Sequence, residues 1–111
     1  MKIEEVFARR RFIMLDGAMG TQLQLRGLTT EQKPELAAFI MPDVLTAVHR
    51  DYARAGADIL LANTFGANPR KLKGTGYTVQ QVIEASIACA RTAAQETGAL
   101  VALDILSLIH I

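Results

Sequence analysis

Apolar residues fall along this chain in two rhythms, and each rhythm predicts an element. Phe12-Ile13-Met14-Leu15 is a nearly unbroken apolar run that stops at Asp16-Gly17. Ala57-Asp58-Ile59-Leu60-Leu61-Ala62 is a second, closing at Asn63-Thr64, and Leu100-Val101-Ala102-Leu103 is a third, ending near Asp104-Ile105. Runs this short and this apolar predict strands buried on both faces, as in a parallel sheet. Between the first two runs, Pro42-Asp43 opens a helix, with proline in the first turn and an acid near the positive end. Leu45, Val48, Tyr52 and Ala55 then recur at spacings of three and four, and Gly56 closes the helix. Thr78 and Gln81 match a capping box, and Val79, Val82, Ile83, Ile87, Ala90 and Ala94 form the apolar face of a helix running to about Glu96. Gly98 stops it. Residues 22–35 read as polar and irregular. Residues 66–77, with Asn68-Pro69, Gly74 and Gly76, read as loop with a turn of helix around residues 70–72.

Strand, helix, strand, helix, strand means parallel pairing with crossover helices. Right-handed crossovers put both helices on one side of a sequentially ordered sheet, leaving the other face bare. Closing the sheet into an eight-stranded barrel removes that exposed face, but such barrels take about 250 residues. The expectation is an α/β chain forming the N-terminal fragment of a (β/α)8 TIM barrel, with about three strands and two main helices. Residues 1–105 read as this partial domain. Residues 106–111, Leu-Ser-Leu-Ile-His-Ile, read as a non-native tail, similar to the translated end of a sequencing-library transposon.

Composition narrows the functional classes. Among 111 residues, twelve basic against eleven acidic side chains leave a formal charge of +1, with no basic excess for nucleic acid or an anionic membrane. The single cysteine, Cys89, excludes an internal disulfide and a zinc site of several cysteines within this sequence. No apolar stretch approaches the ~18 residues of a membrane span. Lys2, Glu4, Glu5 and Arg9 to Arg11 stand where a signal peptide needs its apolar core, so the expected location is cytoplasmic. The arginine run itself reads as a solvated strand entrance.

In parallel α/β folds the site lies at the carboxyl ends of the strands. Asp16, Asn63 and Asp104 fall there. Asp16 opens the segment Asp16-Gly17-Ala18-Met19-Gly20-Thr21, whose small residues let backbone amides approach a ligand. A carboxylate beside such amides can hold both ends of an amino acid, with Asp16 on the ammonium. Two other readings stay open on the residues alone: a phosphate- or nucleotide-binding domain using the Gly17 to Gly20 loop, and a small-molecule binding module without catalysis. No lysine follows Gly20, which counts against the former. Cys89, mid-helix beside Ala88 and Ala90, reads as a packing thiol, and His49 as a structural or half-exposed histidine. Met14 and Met19 read as packing side chains, and Asp104 equally well as a strand-end acceptor.

Taken in order, Leu15 to Leu23, Pro42-Asp43-Val44 leading to Val48-His49 and Tyr52, Ala55-Gly56-Ala57-Asp58-Ile59, and Asn63-Thr64-Phe65-Gly66-Ala67-Asn68 resemble the N-terminal part of the homocysteine S-methyltransferase family. The resemblance is to the branch holding the homocysteine-binding barrels of cobalamin-dependent methionine synthases and of bifunctional homocysteine methyltransferase/methylenetetrahydrofolate reductases. It implies a methyltransferase that makes methionine from homocysteine. It also implies zinc, held by three cysteine thiolates on later strands, which binds the homocysteine sulfur as thiolate. The methyl donor stays open, methylcobalamin being one form of it. On the matching positions, Asp16 corresponds to the ammonium-binding aspartate, Gly17, Ala18 and Met19 to the loop meeting the substrate carboxylate, and Asn63 and Thr64 to the second-strand end lining the pocket. No metal ligand and no catalytic residue is assigned in this sequence, and the fragment alone is expected to be inactive.

Overall fold

The computed structural model describes residue 4 and residues 13–64 and 67–103. The arginine run, Phe65, Gly66, Asp104 and the hexapeptide of residues 106–111 lie outside the described residues. The elements in chain order are α1 (Gly20–Leu25), a 3-10 turn (Pro34–Leu36), α2 (Ala37–Ile40), α3 (Pro42–Arg54), β1 (Ile59–Leu61), α4 (Pro69–Leu72), α5 (Val79–Ala94) and β2 (Leu100–Ala102).

Local signals fix the two long helices. Pro42 stands in the first turn of α3 with Asp43 beside it, and Gly56 follows its end with φ +110°. In α5, the Thr78 hydroxyl accepts from the Gln81 amide at 3.1 Å while the Thr78 amide donates to the Gln81 side chain at 2.9 Å. Gly98, at φ +75°, turns the chain toward β2.

The strands are parallel and in sequential order. Ile59, Leu60 and Leu61 of β1 face Leu100, Val101 and Ala102 of β2. Among the described residues, the first expected strand appears as one parallel bridge, from Leu15 to Ile59. Two aspartates interrupt the backbone ladder on either side of that bridge. The Met14 amide donates to Asp58 Oδ2 at 2.9 Å, and the Leu61 amide donates to Asp16 Oδ2 at 3.2 Å. Each carboxylate takes an amide that a longer ladder would pair with a backbone carbonyl.

Helices α3 and α5 run side by side in the same direction. Cys89 Sγ lies 3.8 Å from the Pro42 carbonyl at the start of α3, and Glu96 pairs with Arg50 and Arg54 at its end. One apolar cluster gathers Leu23, Leu28, Ala37, Ala38, Leu45, Val48 and Cys89; a second gathers Ala53, Leu60, Ala93 and Ala94. Tyr52 packs against both. Leu60 is fully buried toward the helices, whereas Ile59 and Leu61, pointing the other way, are half-buried and Leu15 is 54% exposed. The face opposite the helices is therefore open, as the single-sided crossovers predict.

Three expectations are corrected. The buried face of α5 is Val82, Ser86, Cys89, Ala90, Ala93 and Ala94, while Val79, Ile83 and Ile87 are only half-buried. Small side chains let α3 and α5 approach closely, and that packing rotates the larger residues outward. Ala55 is exposed because it is the C-cap of α3 rather than part of its face. The irregular stretch begins with a helix, α1, that displays too little periodicity to be seen: Leu23 is its one buried side chain.

Candidate functional site

An open cleft of about 380 Å³ lies where the Asp16 turn meets the end of β1. Asp16, Gly17, Ala18, Met19 and Gly20 form one wall, Leu61, Ala62 and Asn63 the floor, and Pro34, Glu35 and Lys71 the opposite wall. Four segments far apart in sequence thus converge, and hydrogen bonds tie them together.

Asp16 is held at both main chain and side chain. Its amide donates to the Ile59 carbonyl at 3.2 Å, and its Oδ2 accepts from the Leu61 amide. The carboxylate is thereby fixed in orientation at the cleft edge and partly shielded from water, which strengthens any charge-assisted bond it makes to a ligand cation. Gly17 and Ala18 are set from behind by Tyr52, whose hydroxyl donates to the Ala18 carbonyl at 2.7 Å. Met19 lines the cleft and also packs against the first apolar cluster, whereas Met14 is 49% exposed.

Asn63 donates its Nδ2 to the Pro34 carbonyl at 2.7 Å, so it ties the floor to the far wall while its side-chain oxygen stays an acceptor. Thr64, the other second-strand residue the sequence singles out, is buried and is not among the cleft-lining residues; its hydroxyl lies 3.4 Å from the Ala62 carbonyl. The far wall comes from residues the sequence did not single out. Lys33 donates to the Lys71 carbonyl at 2.6 Å, and Lys71 Nζ pairs with Glu35 at 3.6 Å. Nothing in the local pattern flags Glu35 or Lys71, since one lies in a polar stretch and the other in a four-residue helix.

No three His, Cys, Asp or Glu side chains converge as a metal site among the described residues. Cys89 is buried against α3, and His49 is fully buried on α3, where desolvation pushes its pKa down to about 4. Both belong to the packing between elements rather than to the cleft lining. No helix among the described residues is long and apolar enough to cross a membrane.

Residues 13–108 match the family model for homocysteine S-methyltransferase. The chain is 38% identical over 97 residues to methionine synthase of Mycobacterium tuberculosis, covering 80% of this chain and 8% of that protein. It is 37% identical over 93 residues to betaine–homocysteine S-methyltransferase 1 of Danio rerio, covering 78% of this chain and 23% of that one. Its structure superimposes on the metallated form of the homocysteine methyltransferase MmuM of Escherichia coli with a TM-score of 0.79 at 27% identity, covering 91% of this chain and 40% of that one. The chain thus spans less than half the length of each of these relatives. On the sequence match and the structural match together, this chain belongs to the homocysteine S-methyltransferase family.

Proposed function

We propose that the chain supplies the amino-acid-holding part of an enzyme that transfers a methyl group to homocysteine to give methionine. In this reading its parallel strands are the first of a (β/α)8 barrel, which would cover the open sheet face, and the cleft is where the substrate's head group sits. Asp16 takes the ammonium. Amides of Gly17, Ala18 and Met19 meet the α-carboxylate, and Asn63 lines the floor, with Thr64 buried beside it. The observation that carries this is the clamped Asp16 carboxylate, oriented by the Leu61 amide on the same cleft as the Gly17–Met19 turn.

Fixing both ends of an amino-acid head group directs its thiol-bearing side chain, which turns part of a bimolecular encounter into positioning. The two carboxylates on the cleft, Asp16 and Glu35, face a single lysine already paired with one of them. That balance favours a zwitterion over a polyphosphate. The family resemblance implies zinc on three thiolates and a methyl donor such as methylcobalamin. The described residues offer one thiol, buried in α5, and so do not fit that ligand set.

Asp16→Asn keeps the shape and removes the charge. It is expected to lower kcat/KM for homocysteine roughly ten- to a hundredfold, with bound metal unchanged. Near-normal homocysteine kinetics in the intact protein would contradict the assignment. Loss of metal along with activity would assign Asp16 to the metal or the fold instead.

A further inference from the structure

Tyr52 sits on α3, outside the cleft, yet it makes two separate contacts with the turn that lines it. Its hydroxyl donates to the Ala18 carbonyl at 2.7 Å. Its ring lies so close behind Gly17 that a Cβ built there would meet Cε1 and the hydroxyl oxygen at 3.0 Å. Gly17 has no positive φ, so its lack of a side chain answers to this close approach rather than to backbone conformation. The ring is anchored in turn, because Tyr52 packs against both apolar clusters and joins the packing under the turn to the packing under β1. The hydroxyl therefore has a fixed origin, and the turn is held at a set height above the floor of the cleft.

We infer that Tyr52 is a positioning residue for the substrate-holding turn, acting through Gly17 and Ala18 to set the amides of residues 17–19 against the ligand's carboxylate. The ligand assignment rests on the function proposed above; the mechanical link between Tyr52 and the turn does not. A hydrogen bond of this kind contributes modestly to binding, so its loss reads as a change in affinity rather than as loss of the fold.

Tyr52→Phe keeps the ring in both clusters and removes only the hydroxyl. In the intact protein it is expected to raise KM for homocysteine about three- to tenfold, leaving kcat and the KM for the methyl donor near their original values. Backbone amide NMR order parameters at residues 17–19 are expected to fall in the same variant. A merely structural role would lower the active fraction, and with it kcat, while leaving KM alone. Gly17→Ala is expected to impair homocysteine binding by pressing against the ring, and combining it with Tyr52→Leu is expected to recover part of that loss. Unchanged order parameters at residues 17–19 overturn the inference, as does an unchanged KM in a protein that turns over homocysteine. If the unsubstituted protein does not turn over homocysteine, the proposed function fails, and the order parameters alone decide the role of Tyr52: a fall supports it and no change overturns it.

Discussion

The layer formed by α3 and α5 and the cleft beside β1 are built on different principles. The layer is built mainly of small and branched apolar side chains, with Leu45, Val48, Val82, Ala90 and Ala93 at or near zero exposure and His49 and Ser86 buried among them. The cleft is polar and half-open. Its parts are tied by side chain to main chain bonds across long sequence separations: Asp16 to Leu61, Asn63 to Pro34, Lys33 to Lys71 and Tyr52 to Ala18. On the proposed function, stability resides in the first region and placement of ligand groups in the second. Substitutions in the layer should be felt as unfolding, and substitutions in the cleft as altered binding with little change in stability.

The largest effect should come from cutting into the layer. Leu45→Ala is expected to destabilise the intact protein by roughly 2–5 kcal/mol, because a fully buried leucine leaves a cavity that its neighbours fill only partly. Urea unfolding measures it; a loss below about 1 kcal/mol would mean the cluster is looser than its burial indicates.

Next in size is the acid response of His49. Burial depresses its pKa from 6.5 to about 4, so between those values the unfolded chain holds a proton that the folded chain does not. The stabilisation is complete above pH 6.5 and is lost as pH falls toward 4, at up to about 1.4 kcal/mol per pH unit and roughly 3 kcal/mol in all. Urea midpoints taken between pH 4 and 8 should show this slope in the unsubstituted protein and a flatter one in His49→Leu. Equal slopes would place the acid sensitivity elsewhere.

A smaller effect on stability, and a selective one on binding, is expected in the cleft wall. Asn63→Ala removes the bond to the Pro34 carbonyl and should cost about 1 kcal/mol or less of stability. It should nevertheless weaken homocysteine binding, because the wall bearing Glu35 is no longer tied to the floor. Calorimetric titration alongside a thermal melt separates the two; equal losses in both would erase the distinction between layer and cleft.

These contrasts also govern what the sequence made legible. Pro42, Gly56, the Thr78–Gln81 box and Gly98 act on their immediate neighbours, so both long helices and the β1–β2 order are readable locally. The convergence of Asp16 and Asn63 on one side follows from where parallel strands end. Glu35 and Lys71 were not readable, because they reach the cleft through contacts such as Lys33 with Lys71 rather than through any periodicity. The interrupted ladder of the first strand was hidden for a related reason: Asp58 and Asp16 bond across the sheet, which an apolar run does not reveal. The face of α5 was misjudged because side-chain size favours Ile83 and Ile87, whereas close helix packing favours Ser86 and Ala93.

The claim that Asp16 receives the substrate's ammonium is tested most directly by pairing the enzyme variant with a substrate variant. Homocysteine and 4-sulfanylbutanoate, which differ only in the amino group, would each be titrated against the intact protein and its Asp16→Asn variant. If the carboxylate meets the ammonium, the unsubstituted protein prefers homocysteine by roughly ten- to a hundredfold, and Asp16→Asn abolishes most of that preference while leaving affinity for the amine-free analogue nearly unchanged. A preference that survives the substitution intact would contradict the assignment.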